Sequence, residues 1–374
     1  MGWNRVIGQQ RVKDLLRRTL MSGKIAHAHL LYGGEGIGKD AIAIEFARAL
    51  NCLKSTVDPC DECSSCRKFD LLQHPNLKLI FPLPVGKSEK SGDDPVEVLS
   101  QDQIAAIHEQ LRLKAANPYH RIAVPKANFI KINSVRDLRR DAAMSAFEGG
   151  RKVFLISNAD AMNAEASNSL LKTLEEPFSD SLFILTASQK ELLLETIVSR
   201  CQLIRCDPLS EVEIRQALVD RQHVETEQAA LTARLARGSY RNALELLAVD
   251  MVAQRQEVVQ FLRLVLGPQK IPLAEDVERI ASSGDRSSVE RWLKLLEMWL
   301  RDALLLREHG EKGLLNIDHL KELRSFNQGF PRADLAAALE SVERSVALVG
   351  KNIYLPLVLT TLAVELKRSL SLPP

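Results

Sequence analysis

Apolar positions in the first half of the chain follow two alternating periods. Val12, Leu15, Leu16 and Leu20 recur at the spacing of one helical face, and Gly23 ends that pattern. A continuous apolar run at 28–32 predicts a buried strand, which leads through a Gly-rich turn into a helix reaching about Asn51. The segments 77–81, 128–132, 153–156, 182–186 and 202–205 are further strand candidates. Helical patterns separate most of them. One carries Ile104, Ile107 and Leu111 behind Ser100-x-x-Gln103, a capping box in which each end residue satisfies the other's backbone N–H. Short buried strands separated by helices predict an α/β fold, a parallel sheet covered on both faces. The segment 85–95 is polar and reads as a mobile loop.

After Pro208 the strand pattern stops. Ser210-x-x-Glu213 opens a helix, and a second helix ends at Gly238. Beyond Asp250 the pattern is wholly helical. Trp292, Leu295, Leu296, Trp299, Ala303 and Leu306 form one stripe; Leu335, Leu339, Val342, Val346 and Val349 form another. Both read as core or interface. The expected division is an α/β domain at 1–208, a small helical lid at 209–249 and a helical bundle at 250–374. No repeat at solenoid spacing is seen.

Charge and composition narrow the function classes. The 50 basic and 48 acidic residues of this 374-residue chain leave a net charge of +2. That excludes a globally basic nucleic-acid coat and an acidic tail, so any contact with nucleic acid needs a local patch. Aromatic residues make up only 5%, which disfavours base-stacking platforms. The N-terminus lacks the apolar stretch of a signal peptide, and Val6 stands where a myristoylation signal needs Ser or Thr. The longest uncharged apolar stretch, 353–364, is too short to span a bilayer. The chain is expected to be soluble and cytoplasmic, with no membrane contact.

The candidate chemistry begins at Gly33-Gly34-Glu35-Gly36-Ile37-Gly38-Lys39-Asp40, which follows a strand and opens a helix. This is the setting of a G-x-x-x-x-G-K-[ST] phosphate loop. Glycines let backbone N–H groups curl around phosphate oxygens, Lys39 supplies a point charge, and the helix N-terminus favours an anion. The final position departs from the pattern. Asp40 stands where a hydroxyl should ligate Mg²⁺. A carboxylate there adds about 4 kcal/mol of repulsion against a phosphate charge ~4 Å away at an effective dielectric of 20, unless a cation intervenes. The strand at 153–156 should be followed by a metal-binding acid and a water-polarising Glu, but Ser157 and Asn158 follow it. Asp160 lies past the strand end and reads as a helix-start residue. Two lesions in one ATP/Mg site point to lost hydrolysis and leave nucleotide binding open.

Four of the six cysteines fall within fifteen residues as Cys52-x7-Cys60-x2-Cys63-x2-Cys66. In a reducing compartment such a cluster is a metal site before it is a disulfide framework, with free thiols and an iron–sulfur cluster as alternatives to zinc. Cys201 and Cys206 flank a predicted strand and read as small buried residues. Trp3 reads as core packing ahead of an adenine cover.

These pieces, taken with their neighbours, resemble the bacterial DNA polymerase III clamp-loader subunits of the AAA+ class. The resemblance rests on VIGQ at 6–9, HAHLLY at 27–32, LLKTLEEP at 170–177, SRCQ at 199–202, GSYRNAL at 238–244 and the helical segment 352–366. It covers nearly the whole chain in order. Two subunit types share this layout. The gamma/tau motor keeps the loop hydroxyl and an Asp-Glu pair; the delta-prime type has commonly lost parts of both. Asp40, Ser157 and Asn158 therefore favour the delta-prime type, with gamma/tau as the alternative. The resemblance implies a AAA+ module, a lid and a collar that assembles with delta and gamma/tau subunits into a five-subunit ring. That ring opens the sliding clamp (beta) and places it on primer-template DNA. It further implies that Arg200 is an arginine finger acting on a neighbour's ATP, that Arg241 is a second sensor, and that Cys52, Cys60, Cys63 and Cys66 hold Zn²⁺. Gly33, Gly38, Lys39 and Asp40 become remnants of a nucleotide site. On the residues alone, Arg200 would be a surface ion-pair residue and Arg241 would complement its own helix. Arg136, Arg139, Arg140, Arg151 and Lys152 could face a DNA backbone or, offset by Asp137, Asp141 and Glu148, form a solvated face.

Overall fold

The computed structural model describes residues 2–86, 89–144, 146, 150–178, 180–248, 251–268, 270–282, 286–349, 351 and 353–371. Glu148, Asn352 and the boundary at 249/250 lie outside them, as do Lys87 and Ser88 of the polar loop.

The first compact unit covers Met1–Glu245. Its five strands are β1 (Ala28–Tyr32), β2 (Leu77–Ile80), β3 (Lys152–Ile156), β4 (Ser181–Ala187) and β5 (Gln202–Arg205). They form one parallel sheet in the order β2-β3-β4-β1-β5. The central strands β1, β3 and β4 are apolar on both faces because helices cover both. The helices are α1 (Gln10–Ser22), α2 (Lys39–Leu50), α3 (Ser64–Asp70), α4 (Gln101–Ala116), α5 (Ile132–Ala142), α6 (Ala164–Glu175), α7 (Glu195–Val198), α8 (Glu211–Gln222), α9 (Thr226–Leu235) and α10 (Tyr240–Leu247). The main core joins Leu30, Phe154 and Phe183 of the sheet to Leu138 of α5 and Leu170 of α6. A second core packs Ile107 of α4 against Phe81, Leu83, Ile122 and Val124.

Local signals did much of the placing. Gly23, in the left-handed region, ends α1. The capping boxes at Ser100/Gln103 and Ser210/Glu213 are both formed. The expected strand at 128–132 is not there. Ile130 makes one isolated bridge to Met162, and Lys131 already caps α5. The segment supplies one fully buried core residue, Ile130, without joining the sheet, and Phe129 beside it is exposed. The polar loop is tied down: Lys131 Nζ meets Glu89 Oε2 at 2.9 Å and the carbonyls of Pro84 (2.9 Å) and Pro95 (3.3 Å). Trp3 is core, 1% exposed.

The second unit, Leu246–Pro374, is all-helical among the described residues: α11 (Met251–Leu266), α12 (Lys270–Ser282), α13 (Arg286–His309), α14 (Leu320–Gly329), α15 (Leu335–Val349) and α16 (Leu355–Leu370). Trp292, Leu296, Trp299 and Ala303 of α13 are buried as their spacing predicted. Asp302 is fully buried and accepts backbone N–H bonds from Leu315 (2.8 Å) and Asn316 (2.6 Å), pinning the α13–α14 connection. Among the described residues no helix is long and apolar enough to cross a membrane.

Candidate functional site

The phosphate loop leaves the C-terminal end of β1 and enters α2 at Lys39, so its N–H groups sit at a helix start. Two glycines are required by contact. A Cβ on Gly36 would fall 2.2 Å from Ser239 Oγ, and one on Gly38 would fall 2.9 Å from the Tyr119 ring. Both have positive φ. The loop is thus pressed against the start of α10 on one side and against Tyr119 on the other. Tyr119 is held in place: its hydroxyl accepts the Ile7 N–H at 2.7 Å, and its ring meets Tyr240 edge-on at 5.0 Å.

Each charged group around the loop already has a partner. Lys39 Nζ turns back onto the loop, donating to the carbonyls of Gly33 (2.8 Å) and Gly34 (2.6 Å) and to Ser188 Oγ (3.1 Å). Glu35 pairs with Arg241 and, at 3.5 Å, with Arg121, while Arg241 Nε lies 3.4 Å from Glu245. Asp40 accepts from Lys114 Nζ and Ser157 Oγ on Oδ2 and from Thr186 Oγ1 on Oδ1, all at 2.7 Å. Burial opposes ionisation of Asp40, but the Lys114 charge and these three donors hold its carboxyl below the usual range. Lys114, from the last turn of α4, is the intervening cation. Asp160 sits in a single 3-10 turn, and its carboxylate accepts the N–H groups of Ser188 and Gln189 at 2.9 Å, organising the exit of β4; Asn163 caps α6. The space left between Glu35, Lys39, Asp40, Lys114, Tyr119 and Arg241 is about 40 Å³. That is room for roughly one water, against ~300 Å³ or more for a small-molecule site.

The four clustered cysteines converge. Their Sγ atoms all lie within 4.8 Å of one another, with Cys60 and Cys66 Sγ 3.9 Å apart. A tetrahedral ion with metal–sulfur bonds of ~2.3 Å needs sulfurs roughly 3.8 Å apart, so the donor set fits. Backbone N–H groups of Cys60, Cys63 and Cys66 donate to Cys52, Cys60 and Cys63 Sγ, each at 3.4 Å. Burial opposes it, yet N–H donors from Cys66 and Leu53 bring the Cys63 thiol down to about 6. Burial pushes Cys66 up to about 12. Cys201 and Cys206 are buried apart from the cluster, as expected.

Arg200 lies just before β5, an edge strand of the sheet. Its Nη2 meets Glu175 Oε1 at 2.7 Å, and its Nη1 donates to the Thr196 carbonyl at 3.0 Å. It is far along the chain from the phosphate loop and shares no hydrogen bond or ion pair with it. On another face, Arg136, Arg139 and Arg140 of α5 and Lys172 of α6 line a groove of about 650 Å³, opposed by Glu165. Asp137 and Asp141 are both drawn to Lys78 of β2, and Asp137 also offsets Arg140 as expected, its Oδ1 3.1 Å from Arg140 Nη2. Lys152 points its ammonium to the Asp141 carbonyl at 2.7 Å and is not part of the groove lining.

The family model described as "DNA polymerase III, delta subunit" matches residues 8–210. The chain is 27% identical over 341 residues to DNA polymerase III subunit delta-prime of Bacillus subtilis, covering 90% of this chain and 86% of that one. It is 30% identical over 352 residues to the delta-prime subunit of Pseudomonas aeruginosa, covering 91% of each. The chain belongs to the delta-prime family of DNA polymerase III subunits. DNA polymerase III subunit tau of Escherichia coli is also similar, 30% identical over 247 residues, but the match covers only 32% of tau. In this delta-prime-family chain the loop motif was legible in sequence, whereas the residues that fill it were not. Lys114, Tyr119 and Arg121 sit some eighty positions beyond the loop, and only the fold brings them to it. Glu35 was within the motif, but as a variable position it gave no signal.

Proposed function

We propose that this chain serves a clamp-loader ring as a subunit that does not hydrolyse ATP, its ring neighbours being delta and gamma/tau subunits. The Asp40–Lys114–Ser157 cluster carries this reading. Where a motor site needs a hydroxyl and an acid around Mg²⁺, a buried ammonium neutralises a carboxylate and no general base follows β3. The roughly 40 Å³ space beside it is small for a nucleotide, which supports Gly33, Gly38, Lys39, Asp40 and Arg241 being kept as a rigid joint between loop and lid.

On this reading Arg200 is the working residue, reaching ATP held by the adjacent subunit. Its half-buried position before an edge strand supports docking there, and Glu175 presets the guanidinium. A permanently charged planar fork suits the charge developing on a transferring phosphoryl group. Cys52, Cys60, Cys63 and Cys66 would hold Zn²⁺, which supplies a structural cross-link of four thiolates with no open position. The α5–α6 groove would track the phosphate backbone of primer-template DNA through Arg136, Arg139, Arg140 and Lys172. Segments 1–208, 209–249 and 250–374 would act as AAA+ module, lid and collar. Tyr354, Leu357 and Val364 stand exposed along one side of α16 and suit a neighbouring collar helix. The test is reconstitution. With delta and gamma/tau subunits present, sliding-clamp loading on primed DNA should require this chain; loading at full rate without it would end the reading.

A further inference from the structure

We propose that Arg48 is the counter-charge of the four-cysteine metal centre and the tie that fastens it to α2; this rests on the zinc reading above. Arg48 stands on the last turn of the helix that begins at Lys39, and its side chain is fully buried. Its Nη2 lies 2.8 Å from Asp61 Oδ1, in the turn between Cys60 and Cys63, and 3.0 Å from Asp70 Oδ1 at the end of α3. Nη1 lies 3.4 Å from Glu45 Oε1, and the guanidinium stands beside the Cys66 side chain. Nη2 is taken up by these ion pairs, yet Nε has no hydrogen bond although it is out of reach of water. Buried N–H donors left in this state are expensive unless something nearby accepts them.

A divalent ion on four thiolates carries a net charge of −2, and that charge needs compensation in a poorly solvated place. Arg48 supplies it. A guanidinium cannot be deprotonated there, and its five donors let one side chain hold three carboxylates together beside the Cys66 side chain. Ion pairing alone accounts for the contacts to Asp61, Asp70 and Glu45. It does not account for the buried guanidinium beside the Cys66 side chain, or for the unpartnered Nε there, next to a cluster that becomes more negative when metal binds.

Zinc affinity is measured by competition with a chromophoric chelator, and the site is checked by the thiolate-to-metal absorption of Co²⁺. Arg48→Met should weaken Zn²⁺ binding about 10- to 100-fold, the usual range for losing a partner of a ligand. Arg48→Lys should fall between. Glu45→Gln/Asp70→Asn removes carboxylate partners without touching sulfur and should stay within roughly 3-fold of the unaltered chain. Unchanged affinity in Arg48→Met overturns the inference, and so does an equal loss in Glu45→Gln/Asp70→Asn, which would reduce Arg48 to a fold-stabilising residue. If Arg48→Met does not fold, Arg48→Lys decides on the same scale: weakened binding supports the role, unaltered binding refutes it. An unaltered chain that takes up no metal would instead sink the zinc reading itself.

Discussion

Lys114 Nζ lies 2.7 Å from Asp40 Oδ2, joining the last turn of α4 to the residue directly after the phosphate-loop lysine. Removing the cation should leave the carboxylate stranded. Lys114→Met is expected to destabilise the chain by about 3 kcal/mol, the scale for breaking a buried ion pair. Asp40→Asn/Lys114→Met should recover much of that loss. Denaturant unfolding of the unaltered chain, Asp40→Asn, Lys114→Met and the double variant checks it; additive losses would show that the two residues do not act as a pair.

The same pair gives a pH signature. The folded-state pKa of Asp40 is depressed below its ordinary 3.8, so its contribution is present above that value and is lost as pH falls through the folded value. Glu45 behaves in the opposite sense. Burial pushes it up to about 7 from 4.5, only partly offset by Arg48 and Arg5. Its contribution is therefore complete below about 4.5 and declines as pH rises through about 7. Glu45→Gln should flatten the stability profile between pH 4.5 and 7, measured by unfolding in the chelator-treated chain. A profile as steep as the unaltered one would assign that pH dependence to another group.

How much of this was legible in the sequence depended on the range of the interaction. Period and local capping placed α1, α4, α8 and all five strands, because Gly23, Ser100 and Ser210 act within four residues. The segment around Ile130 misled for a related reason: alternating apolar residues suit a strand, but one buried residue is equally compatible with a lone bridge. The Cys52–Cys66 cluster was readable because its spacing is itself the chelate. The state of the phosphate loop was readable only in part. Asp40 announced a missing metal seat, but Lys114, Tyr119 and Arg48 meet their partners through the fold and carry no local signature.

Metal removal should have a local effect. The four cysteines close a short excursion between α2 and α3, in the first compact unit, while α11–α16 belong to the second. Chelator treatment is expected to raise hydrogen exchange around 52–70 and leave α13 and α15 protected. Global loss of protection would show that the metal holds far more than its own loop.

Arg200→Ala should leave folding and ring assembly intact while slowing clamp loading, because one ATP site loses its trans-acting charge; arginine fingers are worth ~10³–10⁵ in rate at their own site. Arg200→Lys should restore little, since an ammonium lacks the planar fork. An assembled ring carrying Arg200→Ala that loads clamps at the unaltered rate would reduce Arg200 to the surface partner of Glu175.

The central claim is that this chain turns over no ATP of its own. Steady-state ATP hydrolysis by the purified chain, with and without Mg²⁺, tests it most directly. The expected result is no turnover above background, equal in the unaltered chain and in Lys39→Ala. Magnesium-dependent hydrolysis that disappears in Lys39→Ala would contradict it.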